Sequence, residues 1–203
     1  MNVAGLIFSN IHDRNIPELT QKRTMASVPF GGRYRLIDFT LSNMVNADIT
    51  KVGIITHYNY QSLMDHIGSG KDWDLSRSSG GIKILPPFIT AYDSTTHSMQ
   101  PYSSRLEALM GAYNFISRCT EDYFVLSDCD TVCNIDLRDV VDYHIETHAD
   151  ITVVAKNTYL DAHEASNSTI VETDGHDRIL NLLHNPSGLS GNLNLSLNIF
   201  VLK

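Results

Sequence analysis

Apolar positions along the chain switch between two periods. Val3–Phe8 (VAGLIF) is an unbroken apolar run, the mark of a strand covered on both faces. In Arg35–Ala47, residues Leu36, Phe39, Thr40 and Met44 recur near helical spacing and predict a helix. Lys51–Thr56 (KVGIIT) predicts a second strand and Tyr60–Ile67 (YQSLMDHI) a second helix. Glycine and serine accumulate from Gly68 to Gly81 and predict a mobile loop, after which Ile82–Leu85 predicts a short strand closed by Pro86-Pro87. Beyond it come a helix over Arg105–Cys119, a buried strand over Asp122–Ser127 (DYFVLS), a helix over Leu137–His148 and a strand over Asp150–Lys156 (DITVVAK). Short β segments over Ser168–Glu172, Arg178–Leu183 and Leu193–Leu202 complete the pattern. Strands alternating with helices require crossover connections. The expected fold class is therefore α/β, a Rossmann-like and mostly parallel sheet flanked by helices, with ligands at the carboxyl ends of the strands.

Composition narrows the function classes. A chain of 203 residues suffices for one domain, and an apolar fraction of 42% is ordinary for a globular one. No apolar run reaches the roughly 18 residues a membrane span needs. The start MNVAGLIFSN lacks the basic residues and cleavage site of a secretion signal and reads instead as the first strand. Cys119, Cys129 and Cys133 are too few for a disulfide framework and fit a reducing cytoplasm. A net charge of −8 argues against nucleic acid as a partner. It does not argue against small phosphorylated ligands, which a few local arginines can hold. Without G-x-S-x-G or G-x-G-x-x-G, neither acyl nor hydride transfer has support.

Several groups carry candidate chemistry. Asp128-Cys129-Asp130 places carboxylates at i and i+2 after a strand, where a bend would let both meet a hard divalent cation such as Mg²⁺. The plain alternative is a solvated turn in which Asp130 caps the next segment. His144 and His148 stand at i, i+4, the spacing of a zinc pair, but without HExxH a surface helix is the expected reading. Cys129 and Cys133 have no second pair and read as small packing residues, and His57, His66 and His97 form no constellation. Within VPFGGRYRLIDF, Gly31 and Gly32 allow a tight turn into the helix, Pro29 fixes its entry, and Arg35 and Asp38 stand at pairing distance.

Four blocks together carry a family resemblance: VPFGGRYRLIDFTLSN (Val28–Asn43), KVGIITHYNYQSLMDHI (Lys51–Ile67), GGIKILPP (Gly80–Pro87) and YHIETHADITVVAK (Tyr143–Lys156). In order and spacing the chain resembles bacterial glucose-1-phosphate adenylyltransferase, or ADP-glucose pyrophosphorylase, along essentially its whole length. The resemblance implies a nucleotidyltransferase domain of the glycosyltransferase-A type. Such a domain joins ATP and glucose 1-phosphate to give ADP-glucose and pyrophosphate for glycogen synthesis. Because that family carries a C-terminal left-handed β-helix, the resemblance also implies that residues 1–203 are its N-terminal domain, cut short at the C-terminal end.

The same comparison exposes losses. Where the family has a glycine-rich loop with an arginine, this chain has Ser9-Asn10-Ile11-His12-Asp13-Arg14-Asn15. A phosphate cradle needs glycine for φ > 0 and close backbone approach; Ile11 opposes that and Asp13 adds negative charge. The loop arginine falls on Asn15, with Arg14 beside it, and the family's Lys-Pro pair falls on Met25-Ala26. Its Gly-Thr-Ala-Asp becomes Ser104-Arg105-Leu106-Glu107, leaving Glu107 as the acidic group, and its Glu-Lys-Pro becomes His184-Asn185-Pro186. The metal-binding Gly-Asp-His aligns with Asp128-Cys129-Asp130. Charged donors at a phosphoryl-transfer centre supply most of its catalysis, and losing one typically costs about 10²–10³ in rate.

Intact scaffold with depleted chemistry resembles the GlgD-type subunit of Gram-positive bacteria, which implies a weakly active or inactive regulatory partner of a catalytic subunit in a heterotetramer. On that reading Asn15, Met25 and Asn185 mark lost catalytic positions. Arg14, Arg33, Glu107 and Ser196 are the remaining nucleotide- or sugar-cleft candidates, and Asp128 with Asp130 would hold Mg²⁺ weakly. Two rivals stand beside it. One is an active pyrophosphorylase with a rebuilt loop using Arg14, Arg23, Arg33 and Asp128 or Asp130. The other is a non-catalytic module sensing a sugar phosphate or nucleotide.

Overall fold

The computed structural model describes residues 2–86 and 104–203; His97 and Pro87 lie outside them. Its first strand, β1 (Val3–Phe8), is buried along its whole length, as an unbroken apolar run requires. Alternation divides its side chains between two cores. Val3 and Ile7 join Leu41, Met44, Val52 and Val141 on one face, while Leu6 and Phe8 join Ile55, Phe115 and Leu126 on the other. Burying each of the larger side chains stabilises the fold by roughly 1.5–3 kcal/mol.

Around β1 the sheet is parallel. β1 pairs in parallel with β4 (Lys51–Ile55) and β6 (Tyr123–Asp128), and β4 with β5 (Gly81–Leu85). Phe8 is registered with both Ile55 and Asp128, so the three strands end at one edge. Beyond β6 the direction reverses. The long β10 (Gly191–Leu202) runs antiparallel to β6, to β7 (Ile151–Leu160) and to β8 (Thr169–Thr173), which pairs with β9 (Ile179–His184). The result is an eight-stranded mixed sheet, ordered β5-β4-β1-β6-β10-β8-β9 with β7 along the other edge of β10. A register shift between Ser196 and Phe200 bends β10 beside the end of β6.

Helices cover both faces of the parallel part. After β1 comes a single helical turn, α1 (Pro17–Thr20), with proline at its start. A small hairpin, β2 (Pro29–Phe30) with β3 (Tyr34–Arg35), then feeds α2 (Leu36–Asn46). Its turn has Gly31 and Gly32 at φ of 59° and 90°, the conformations expected of that pair. Asp38 accepts the Arg35 backbone N–H at 3.0 Å and so caps the helix, whereas the Arg35 guanidinium turns to Ser62 O at 2.6 Å. Asp38 also sits 2.6 Å from His66 Nε2 on α3 (Gln61–Ile67), a contact between two helices that no local spacing shows. The expected helix from Arg105 to Cys119 is broken into α4 (Arg105–Gly111) and α5 (Tyr113–Ile116) at Ala112, just after Gly111. Residues 68–81 are anchored rather than loose: Leu75 is buried and accepts a hydrogen bond from Ile82 N–H.

His144, on α6 (Leu137–Glu146), is buried and its Nδ1 lies 2.8 Å from Thr152 Oγ1 on β7. His148 lies past the helix with φ 51°, so the two histidines share no helix face, and neither a surface role for His144 nor a zinc pair survives. Cys129 is buried, with its Sγ 3.5 Å from Ser9 O, and all three cysteines are free thiols.

Candidate functional site

Three parallel strands ending together bring their following residues to one edge, and the charged ones converge there. The β1 chain continues through Ser9 into a tight 3₁₀ turn at Asp13–Asn15, with no residue of 9–16 at positive φ. That path delivers His12 to the end of β6. His12 Nδ1 lies 2.7 Å from Asp130 Oδ2 and 3.8 Å from Asp128 Oδ2. Arg105, the first residue of α4 (Arg105–Gly111), reaches the same carboxylates. Ser104 caps that helix by accepting the Glu107 N–H at 3.2 Å, which fixes where Arg105 projects. The guanidinium then grips Asp128 in a two-point pair, Nε to Oδ1 at 3.0 Å and Nη2 to Oδ2.

Burial sets the electrostatics. Asp128 is almost wholly buried, at 1% exposure. Burial pushes its carboxyl above the usual range, against the opposing pull of Arg105 and then His12. For Asp130 burial also acts upward, but the hydrogen bond and charge of His12 outweigh it and hold the carboxyl low. His12 is raised in turn, chiefly by its bond to Asp130 and despite its own desolvation. Two anions and two cationic groups thus close on one another.

Among the described residues, His12, Asp128 and Asp130 are the one cluster whose ligand atoms lie within reach of a shared ion, all within 4.8 Å. The two carboxylates are therefore neighbours, as their spacing suggested. Their fit to Mg²⁺ is poor. A hard ion of octahedral preference wants several free oxygens. Both oxygens of Asp128 are taken by Arg105, and Asp130 Oδ2 is taken by an imidazole.

The other candidates lie elsewhere or serve the fold. Arg14 is exposed beside a shallow hollow of about 540 Å³ that it lines with Glu18, Gln21 and Asn59. Asn15 is exposed at the end of the 3₁₀ turn. Met25 is 3% exposed and packs in the core with Val28 and Leu36, a poor place for the lysine its position implies. Asn185 is exposed at φ 49°, between β9 and β10. Arg33 is exposed on the hairpin turn, 5.5 Å from the Tyr34 ring centre. Glu107 is exposed in the first turn of α4, and Ser196 is buried in the β10 bend, accepting the Asn198 N–H at 3.2 Å.

Asp13, expected to repel a triphosphate, is instead turned inward, with Oδ1 accepting the Met25 N–H at 2.7 Å and no partner on Oδ2. Burial raises its pKa to about 7, against the lowering effects of that N–H and of His12. A groove of about 1220 Å³ lies along the face of the antiparallel strands past Val153, Val171 and Phe200, and meets the carboxylate cluster only at Arg105. Sequence reasoning missed His12 and Arg105 as partners of the aspartates. They stand 118 and 23 residues from them, and no local spacing links such positions.

Comparison with known proteins agrees with this architecture. Residues 15–198 match the family described as Nucleotidyl transferase. Glycogen biosynthesis protein GlgD of Bacillus subtilis is 41% identical over 151 residues, covering 74% of this chain and 42% of that protein. Glucose-1-phosphate adenylyltransferase of Thermotoga maritima is 34% identical over 200 residues, covering 98% of this chain and 45% of that enzyme. The chain thus spans less than half the length of either. A Bacillus anthracis crystal structure, named as a glucose-1-phosphate thymidylyltransferase in complex with sucrose, superposes with a TM-score of 0.76. At 15% identity, over 99% of this chain and 71% of that one, it speaks to the fold alone. Among the described residues no helix is long and apolar enough to cross a membrane.

Proposed function

The chain belongs to the nucleotidyl transferase family, and we propose that the full-length protein is a weakly active or inactive regulatory subunit of glucose-1-phosphate adenylyltransferase in glycogen synthesis. On this reading it associates with a catalytic subunit and alters that subunit's activity, binding ATP and glucose 1-phosphate weakly if at all.

The observation that carries the reading is the β1 turn. Cradling phosphates demands backbone N–H groups presented by residues at positive φ, and none of residues 9–16 adopts it. The turn folds down instead, so that His12 meets Asp130 and Asp13 meets the Met25 N–H. A triphosphate arriving at this edge would find its electropositive groups already spent on carboxylates. Electrostatic stabilisation of the transferring phosphoryl group, the main source of rate in such chemistry, then draws nothing from His12 or Arg105, which are paired with the aspartates. The scaffold, by contrast, is kept: the Gly31-Gly32 hairpin, the α2 cap and both cores are in place.

The deciding experiment is synthesis of ADP-glucose by the full-length protein, alone and mixed with a catalytic glucose-1-phosphate adenylyltransferase subunit. Little activity alone and altered activity in the mixture is the expected result. A specific activity alone within about tenfold of an active enzyme, which is less than removal of one charged donor costs, would overturn the reading.

A further inference from the structure

We propose that Arg105 is the resident cation of this site: the protein holds its Asp128–Asp130 pair by internal charge, and a divalent ion binds only when Arg105 is removed. The family's chemistry leads one to look for a metal at these carboxylates, and the side chains present do not fit one.

Three observations carry the inference. First, Asp128 is gripped at two points by a planar guanidinium, the geometry in which arginine and carboxylate match best. Second, Arg105 is not a drifting surface side chain. The Ser104 cap sets the start of α4, and Ala108 and Ala112 pack behind it against Leu6, Phe8 and Leu126. The pair is therefore a strut between α4 and the end of β6. Third, the charges close. Asp128 and Asp130 face Arg105 and His12, and the same two carboxylate oxygens nearest His12 are those a shared ion would need. A divalent ion entering here would meet a guanidinium on the same carboxylate. In a buried setting that repulsion is large, and the ion and the arginine exclude one another.

The proposal stands on the charge pattern alone and is independent of the regulatory role. The test is Mn²⁺ binding to full-length protein, followed by the loss of the free-ion paramagnetic signal, in the parent, in Arg105→Ala, and in Arg105→Ala combined with Asp128→Asn. The parent should show no saturable site. Arg105→Ala should bind Mn²⁺ at least about tenfold more tightly than the parent, as expected when one opposing charge leaves a carboxylate, and the added Asp128→Asn should erase the gain. Arg105→Gln, which keeps the length of the side chain without its charge, repeats the test if the alanine variant does not fold. A saturable Mn²⁺ site in the parent that Asp128→Asn abolishes would overturn the proposal. So would a folded neutral variant that binds no better than the parent. Activity is not the readout: an active parent without the ion site defeats only the regulatory reading, and an inactive parent with it defeats only this one.

Discussion

Replacing Asp13 by asparagine should stabilise the protein at alkaline pH and do progressively less as the pH falls. The carboxyl is inward-facing, one oxygen on the Met25 N–H and the other without a partner, and its pKa lies near 7 against an ordinary value of 3.8. An acid whose pKa is raised by folding binds its proton more tightly in the native state. Its cost is therefore absent below about pH 4, grows as the pH rises, and is complete above about pH 7. At about 1.4 kcal/mol for each tenfold in proton affinity, that rise sets a ceiling of about 4 kcal/mol, and partial solvent access brings the expectation to about 2 kcal/mol. Asparagine resembles the protonated acid and keeps an acceptor for the Met25 N–H, whose help to the charged form is already contained in the shifted pKa. The expected gain is then about 2 kcal/mol at pH 8, falling below about 1 kcal/mol near pH 5. Urea unfolding of both proteins at pH 5, 6, 7 and 8 measures it. His12, raised chiefly by Asp130, also loses its contribution as the pH rises through its folded pKa in both proteins, and its smaller attraction to an ionised Asp13 is already part of the Asp13 shift. A difference between the two that stays flat from pH 5 to 8 would show that Asp13 is ionised throughout and refute the assignment.

Three further outcomes are expected. Gly53→Ala should lower stability by about 1–3 kcal/mol in thermal or urea unfolding, because its new methyl meets Leu6 and Leu85 at 2.8 Å and Phe115 at 3.0 Å. Thr152→Val should cost about 1–3 kcal/mol by leaving the buried His144 Nδ1 unpaired beside a ring whose Nε2 already lacks a partner, and a loss below about 0.5 kcal/mol would show that the bond is not needed. A glycine-rich, arginine-bearing loop in place of Asn10–Asn15, with Met25→Lys, Asn185→Lys and Arg105→Ala, should raise pyrophosphate release by about 10²-fold or more only in combination, while Met25→Lys alone should lower the melting temperature. A folded combination as inactive as the parent would defeat that expectation.

Elements whose burial is set locally were readable in the sequence. Val3–Phe8 is apolar at every position because helices cover both sides, and the strand has the same ends in the structure. The α2, α3 and α6 spans were placed to within two residues, since each carries its own apolar stripe. The break at Ala112 was not visible, because an amphipathic pattern continues across it. Nor was the turn of β10 away from parallel pairing, which depends on partners distant in the chain. Within the site, Asp128 and Asp130 were legible as a pair because their spacing is local. His66 with Asp38, and His12 with Asp130, were not: each pair is made by the sheet bringing separate segments together. Met25 misled for a related reason. Its alignment with a lysine position said nothing about the core that its side chain fills.

The altered turn and the arginine strut are parts of one arrangement rather than separate losses. Without glycine the chain after β1 cannot hold its amides open toward a phosphate. It collapses instead into a 3₁₀ turn, which places His12 over Asp130. That contact satisfies one carboxylate and leaves Asp128, more deeply buried, needing a partner of its own; an unpaired charge at 1% exposure would be strongly destabilising. Arg105 meets that need from the start of α4. The consequence for any attempt to rebuild chemistry is specific. Exchanging Asn10–Asn15 removes His12 and Asp13 together and frees Asp130, yet Asp128 stays bound to Arg105. A rebuilt loop therefore restores a phosphate cradle beside a carboxylate that is still neutralised. If the restored reaction requires an ion at both aspartates, the loop exchange will need Arg105→Ala as well. The charge balance places that residue among the determinants of the site, although it lies on neither the loop nor the strand that carries the carboxylates.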